Sequence, residues 1–365
     1  MNARAARRAL ICAIALLAGA RVHADPYAPD TRYAAVDPAR ALEFPLDFGS
    51  HPDFRTEWWY ATGWLRAADR ERLGFQITFF RTRPEIWRGN PSAFTPRQVL
   101  IGHCALSDPR RARLWHAQAV ERAGFGLAGA RQADTDVWIG AWRLIRDGGV
   151  YRARCAGNGF SIDLSLAPTQ RPLANGARGY SRKGPDPHDA SDYYSIPHLR
   201  VDGLVVRGGR SMPVTGEAWL DHEWSSAYLD RDSVGWDWIG INLQDGGALM
   251  AFRIRGADGT TRWAGGTLRD AAGAVRVLGP ADIAFAPLRE WRSPRTAILY
   301  PVEARVRAGP RTFVLRPLFD DQENDTRATS GTVYWEGAVR AFEQGRPAGH
   351  GYLELTGYGG GLRLR

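Results

Sequence analysis

Residues 236–255 read WDWIGINL, then QDGG, then ALMAFRIR. In the first eight, alternation places Asp237, Ile239, Ile241 and Leu243 on one face and Trp236, Trp238, Gly240 and Asn242 on the other, the period-two pattern of a half-buried strand. Gln244-Asp245-Gly246-Gly247 supplies residues that accept the backbone of a tight turn, and a second apolar run follows at once. The stretch predicts an antiparallel hairpin.

The same grammar repeats outward from it. Residues 73–81 set Phe75, Ile77 and Phe79 on one side, 144–154 hold two short strands around Asp147-Gly148-Gly149, and 160–166 alternate behind Asn158-Gly159. Asp258-Gly259 and Ala272-Gly273 continue the meander, and residues 311–317, 331–340 and 351–356 supply further strands. Gly or Pro interrupts every window long enough for a helix. The chain therefore reads as all-β, an antiparallel sandwich or barrel with few short helices. Residues 168–197, rich in Pro, Gly, Asp and Ser, read as a long loop. Residues 56–65 (TEWWYATGWL) and 332–339 (TVYWEGAV) form a faint internal echo, as two similar barrels would produce.

Residues 1–24 read as a cleaved signal peptide. Arg4, Arg7 and Arg8 form a positive start, 10–18 are apolar, and Val22-His23-Ala24 ends in small residues. Cleavage after Ala24 predicts a periplasmic or secreted protein. No later segment is apolar enough for an integral membrane span. The formal charge is +9, of which Arg4, Arg7, Arg8 and Arg21 leave with the leader. Lys183 is the only Lys, and Arg, Ala, Gly and Pro are abundant. This bias of composition accounts for the basic balance without a nucleic-acid partner. Cys104 and Cys155 remain after cleavage. An exported setting suits a disulfide between them, with two buried thiols as the alternative.

The chemistry concentrates in residues 216–238, GEAWLDHEWSSAYLDRDSVGWDW, which hold Trp219, Trp224, Trp236 and Trp238. Indoles gain little on a loop and much in a cavity for a large apolar ligand, where their faces also attract positive charge. Read as a strand, 216–224 put His222 and Trp224 on one face and Trp219, Asp221 and Glu223 on the other. Asp221 and Glu223 therefore cannot orient His222 without a bulge. Asp237 sits on the apolar face of its strand, either protonated by burial or paired with an Arg. Asp237, Asp221 and His222 are the candidate catalytic residues. Trp219, Trp224, Trp236, Trp238, Tyr193 and Tyr194 are the candidate ligand-binding wall, the two tyrosines closing the long loop. Arg55 with Glu57, and Glu336, read as structural ion-pair members. The scattered histidines predict no metal site, and no nucleotide or hydrolase motif implies a cofactor. A sugar-binding sandwich also uses Trp platforms and predicts an open groove in place of a cavity.

The segments 55–65 (RTEWWYATGWL), 74–81 (GFQITFFR), 193–203 (YYSIPHLRVDG), 216–226 (GEAWLDHEWSS), 235–243 (GWDWIGINL), 334–339 (YWEGAV) and 350–358 (HGYLELTGY) run in order over nearly the whole chain. Together they resemble the AttH-like and carotenoid 1,2-hydratase-like proteins. The resemblance implies two lipocalin-like (calycin) barrels in tandem, 25–215 and 216–365, and an apolar or lipid ligand within or between them. In the hydratase branch it implies addition of water to an isoprenoid double bond, with a His and a Trp that match His222 and Trp224. That branch also uses a Tyr-x-Asp pair downstream, where this chain reads ALMAF at 248–252 with no acid. The AttH branch implies an accessory carrier associated with exporters of the ABC class. The carrier is the first expectation here, and a hydro-lyase without a cofactor is the alternative.

Overall fold

A computed structural model describes residues 33–84, 92 and 94–361. The expected leader lies outside the described residues. Among these, regular structure is strand apart from one 3-10 turn at Leu46–Phe48. The strands form two antiparallel sheets.

In the first sheet the neighbours run Arg113–Arg122, Val99–Asp108, Arg72–Thr82, Thr56–Ala67, Arg210–Ala227, Ala190–Arg207, Phe160–Pro168, Val150–Gly157, Trp142–Asp147, Asp136–Ile139 and Ala128–Ala130. The sheet curls until Arg113–Arg122 packs against its other end. In the second the order is Val275–Leu278, Thr261–Arg269, Ala248–Gly256, Ser233–Leu243, Arg346–Leu355, Val333–Glu343, Arg311–Pro317, Leu299–Ala308 and Ile283–Arg292. Its last strand returns to Ala248–Gly256 and Thr261–Arg269 and nearly closes a barrel.

The two sheets share one connectivity. Each opens with a meander of four strands and then pairs its first strand with its last: Thr56–Ala67 with Arg210–Ala227, and Ser233–Leu243 with Arg346–Leu355. The topological counterpart of the TEWWYATGWL strand is therefore the WDWIGINL strand. The Trp-rich echo at 332–339 marks the strand next to the closing one.

Each barrel has its own interior. Phe75, Ile77, Leu106, Leu164 and Leu220 are among the buried residues of the first, and Ile239, Ile241, Phe313, Val339 and Leu353 of the second. Cys104 and Cys155 form a disulfide that ties Val99–Asp108 to Val150–Gly157 across the first barrel. A third cluster, with Tyr60, Trp64, Trp219, Trp238, Phe252 and Tyr352, lies where the outer faces of the barrels meet. There the Trp64 indole N–H donates to the Gly351 carbonyl at 3.0 Å.

Two expectations are corrected. The division between barrels does not fall at 215/216. Gly216 lies inside Arg210–Ala227, paired with Leu65 on one side and Val201 on the other, and the connection to the second sheet follows at 228–232. The expected loop at 168–197 carries the short strands Leu173–Ala174 and Tyr180–Arg182 and the start of Ala190–Arg207. Pro197 is accommodated in that long strand by a register shift between Ile196 and Leu199, with His198 at φ 54°. A proline cannot donate to a ladder, so it sits where pairing is interrupted.

Candidate functional site

Side chains alternate along Arg210–Ala227 and so divide its aromatic, charged segment between two compartments. Asp221 and Glu223 face a cavity between the barrels, while His222 and Trp224 point into the interior of the first.

The cavity has a volume of about 290 Å³. The first barrel contributes Trp58, Tyr60, Thr78, Phe80 and His103, and the second Trp236, Trp238, Phe252, Tyr334 and Glu336. Gly240 lets this wall form, because a Cβ there would stand 2.5 Å from the Trp238 ring and 3.0 Å from Trp219. At the rim, Arg55, Thr82 and Ser330 reach solvent.

Four carboxyl groups share this apolar space: Asp221, Glu223, Glu336 and Glu354. Asp221 accepts hydrogen bonds from Ser195 Oγ at 2.6 Å, Trp219 Nε1 at 2.7 Å and the Tyr193 hydroxyl at 2.7 Å. Burial, reinforced by the neighbouring Glu223, still pushes Asp221 up to about 7 against those donors. Glu223 is held by Lys183 Nζ at 2.8 Å and accepts from Ser191 Oγ at 2.5 Å. Glu336 and Glu354 are cross-strand partners, both driven well above the carboxylate range by desolvation. The Glu354 charge adds to the rise at Glu336. Glu336 lies beside the hydroxyls of Tyr60 and Tyr334, yet its Oε1 has no hydrogen bond of normal geometry among the described residues. Behind Tyr334, His103 is pushed down to about 3 by burial, so its imidazole is neutral, with Nδ1 2.9 Å from the Tyr334 hydroxyl.

A second polar cluster occupies the first barrel. His222 Nε2 is 2.8 Å from Glu57 Oε1, His51 Nδ1 is 2.9 Å from the same oxygen, and Arg81 Nε donates to Glu57 Oε2 at 2.8 Å. The Tyr194 hydroxyl meets His222 Nδ1 at 3.0 Å, and His51 stacks on Trp224 with ring centroids 3.5 Å apart. Despite its burial, Glu57 is held far below its usual range by Arg81 and the two histidines. His51, Glu57 and His222 bring three metal-ligand atoms within 4.8 Å of one another, where sequence spacing predicted no metal site. Glu57 Oε1 is shared by both histidines, and Arg81 sits against its other oxygen as the counter-charge.

The sequence-derived candidates thus separate. Asp221, Tyr193, Trp236 and Trp238 line the cavity. Trp219 stands behind it, bonded to Asp221 and edge-on to Trp238. His222, Trp224 and Tyr194 belong to the first barrel's interior network and do not line the cavity. Asp237 is buried in the second barrel, bonded to Arg253 Nε at 2.6 Å, Arg255 Nε at 2.9 Å and the Tyr358 hydroxyl at 3.0 Å. It is the Arg-paired carboxylate of the two alternatives, because residues 253 and 255 carry their arginines to the same face. The indoles bound a cavity and not the open groove of a sugar platform.

Glu336, Glu354, Tyr334, Trp58 and His103 escaped the sequence reading as site residues. Glu336 in Tyr334-Trp335-Glu336 was expected in an ion pair, and among the described residues it has none. Glu57 does form one, with Arg81 in place of Arg55. One signal was available: alternation puts Tyr334 and Glu336 on one face and Trp335 on the other, as it does Trp58 and Tyr60 against Trp59.

The AttH-like family model matches residues 35–358. A crystal structure of an AttH candidate from Nitrosomonas europaea is 53% identical, covers 89% of this chain and 99% of that one, and superposes with a TM-score of 0.84. Kievitone hydratase from Nectria haematococca, 15% identical over 89% of this chain and 95% of its own, shares the two-barrel lipocalin-like fold at a TM-score of 0.68. No curated protein sequence matches the chain.

Proposed function

Because this chain belongs to the AttH-like family, with a fold shared by a hydratase, we propose that it binds an apolar, unsaturated molecule between its barrels and donates a proton to it. The observation that carries this reading is Glu336: a buried carboxyl, driven toward its neutral form, beside the Tyr60 and Tyr334 hydroxyls in an aromatic cavity. Protonating an alkene requires a neutral acid, a dry site and a surface that stabilises the resulting tertiary cation. Glu336 supplies the first, and the faces of Trp58, Trp236 and Trp238 supply the last. Asp221, in its ionised form, then accepts the proton of an adding water, which makes the enzyme a hydro-lyase. If a neighbouring C–H gives up its proton instead, the product is an isomer. A cavity of about 290 Å³ encloses an isoprenoid end or a compact terpenoid, with any longer remainder emerging at the rim.

The reading includes export, with cleavage near Ala24, and action in the periplasm or outside the cell. A carrier that delivers its ligand to an exporter of the ABC class is the second reading. It is favoured by residues 248–252, ALMAF, which offer no acid where the hydratase branch has one. Incubation with a prenyl-bearing probe in D2O separates the two. Turnover with deuterium in the product, abolished in Glu336→Gln while probe binding persists, supports the enzyme. Binding without exchange in the wild type supports the carrier.

A further inference from the structure

The chain holds 48 Lys and Arg residues, and one of them is Lys. Arginine serves every other cationic position, including the buried partners of Glu57 and Asp237. The exception, Lys183, lines the cavity and is 8% exposed. Its Nζ stands 4.3 Å from the centroid of the Phe252 ring and 4.8 Å from that of Tyr193. It bonds Glu223 Oε1 at 2.8 Å and Ser181 Oγ at 3.1 Å. An ammonium has three donors, and two of these have partners among the described residues. Arginine cannot replace lysine in one respect that matters here. It does not lose its proton in proteins and is no nucleophile, whereas a primary amine becomes one when a neighbouring base takes its proton.

We propose that Lys183 is an amine site that captures an apolar aldehyde or ketone as an imine. The groups needed for each proton are in place. Glu223, at hydrogen-bond distance, takes one proton from the ammonium. The freed nitrogen attacks the carbonyl carbon, and the carbonyl oxygen becomes a hydroxyl. Asp221, two residues from Glu223 on the same strand face, donates the proton with which that hydroxyl leaves as water. The carbon–oxygen bond breaks and a protonated carbon–nitrogen double bond remains, so ammonium and carbonyl have become iminium and water with no oxidant or reductant consumed. The iminium retains the positive charge that the Tyr193 and Phe252 faces already hold, and Asp221, ionised by the proton it gave, balances that charge in place of Glu223. This inference concerns the cavity alone and stands whether or not Glu336 acts on alkenes.

The uniqueness of Lys183 makes the test clean, since the chain's α-amine is the one other primary amine. The protein is treated with octanal and sodium cyanoborohydride at pH 7, and the reduced adduct is located by peptide mass mapping. Lys183 is expected to take one equivalent, on the order of 100-fold faster than N-acetyl-lysine, the scale of general acid–base assistance. Excess 1-decanol, an apolar competitor that cannot form an imine, is expected to suppress the labelling, and Lys183→Arg to abolish it. Competition is read in the wild type, so a variant that fails to fold does not obscure the result. Labelling of Lys183 no faster than of N-acetyl-lysine, or untouched by decanol, overturns the proposal.

Discussion

Glu336 and Glu354 stand directly opposite each other on adjacent strands, both in the wall of the inter-barrel cavity. Neither forms an ion pair with an arginine or lysine among the described residues. Like charges in such a pair repel, and an apolar surrounding penalises each charge further. The arrangement favours the protonated form, which is the form a general acid needs at neutral pH.

That choice has a thermodynamic signature. The folded pKa of Glu336 lies above its ordinary 4.5, so the folded state binds the proton more tightly than the unfolded one. Stability from this group is therefore complete below about pH 4 and declines as pH rises toward the folded value. Glu336→Gln removes the penalty. Urea titrations are expected to find the variant equal to wild type near pH 4 and more stable by about 1–3 kcal/mol near pH 8. A variant less stable than wild type at pH 8 contradicts the assignment.

Glu57 has the opposite sign. Its pKa is held low in the folded state, so its contribution is present above about pH 4.5 and is lost as pH falls through the folded value. Replacement by Gln strands Arg81 in the barrel with the two histidines. Glu57→Gln is expected to cost about 3–5 kcal/mol at pH 7, the usual result of removing one partner of a buried pair. A loss under about 1 kcal/mol in thermal or urea unfolding means the network is not ionic.

His198 joins the barrels. Nδ1 meets Glu217 Oε1 of the first barrel at 2.6 Å, and Nε2 meets the Gly247 carbonyl of the second at 2.7 Å. Both partners are acceptors, so both nitrogens donate and the ring is an imidazolium. Its pKa is raised, with burial and Arg269 opposing and Glu217 and Gly247 prevailing. The stabilisation is complete below pH 6.5 and lost as pH rises through the higher folded value. His198→Ala is expected to cost about 1–3 kcal/mol at pH 6 and clearly less at pH 9. A cost independent of pH would show that the ring serves only as packing.

The disulfide between Cys104 and Cys155 closes a loop with a sequence separation of 51 residues. Its reduction, or a double Ser replacement, is expected to lower stability by about 2–4 kcal/mol, chiefly by freeing the unfolded chain. The loss should concentrate in the first barrel. Hydrogen exchange that accelerates equally in both barrels would show that they unfold as one unit.

The architecture was legible because sheets write themselves in period two. Residues 236–255 appear as the predicted hairpin, Asp237 pairing with Arg253 and Asn242 with Ala248. Alternation also separated His222 from Asp221 and Glu223 correctly. What alternation cannot say is which face is the barrel interior and which meets a second barrel. Asp237 shares a face with Ile239 and Ile241, and that face turned out to be the second barrel's core, already furnished with Arg253 and Arg255. Glu336 read as a structural ion-pair member because its partner Glu354 comes from a later strand. Strand register, which brings them together, is a property of the fold. The boundary at 215/216 failed for a related reason: Gly216 resembled a strand start, but a closing strand as long as Arg210–Ala227 carries glycine in its middle.

Neutral carboxyl groups in the inter-barrel cavity at physiological pH are the core of this account, and infrared spectroscopy reads them directly. At pH 7, wild-type protein in D2O is expected to show a protonated-carboxyl C=O stretch that weakens in Glu336→Gln. It should vanish on unfolding at the same pH. A wild-type spectrum at pH 7 with only ionised carboxylate bands would contradict it.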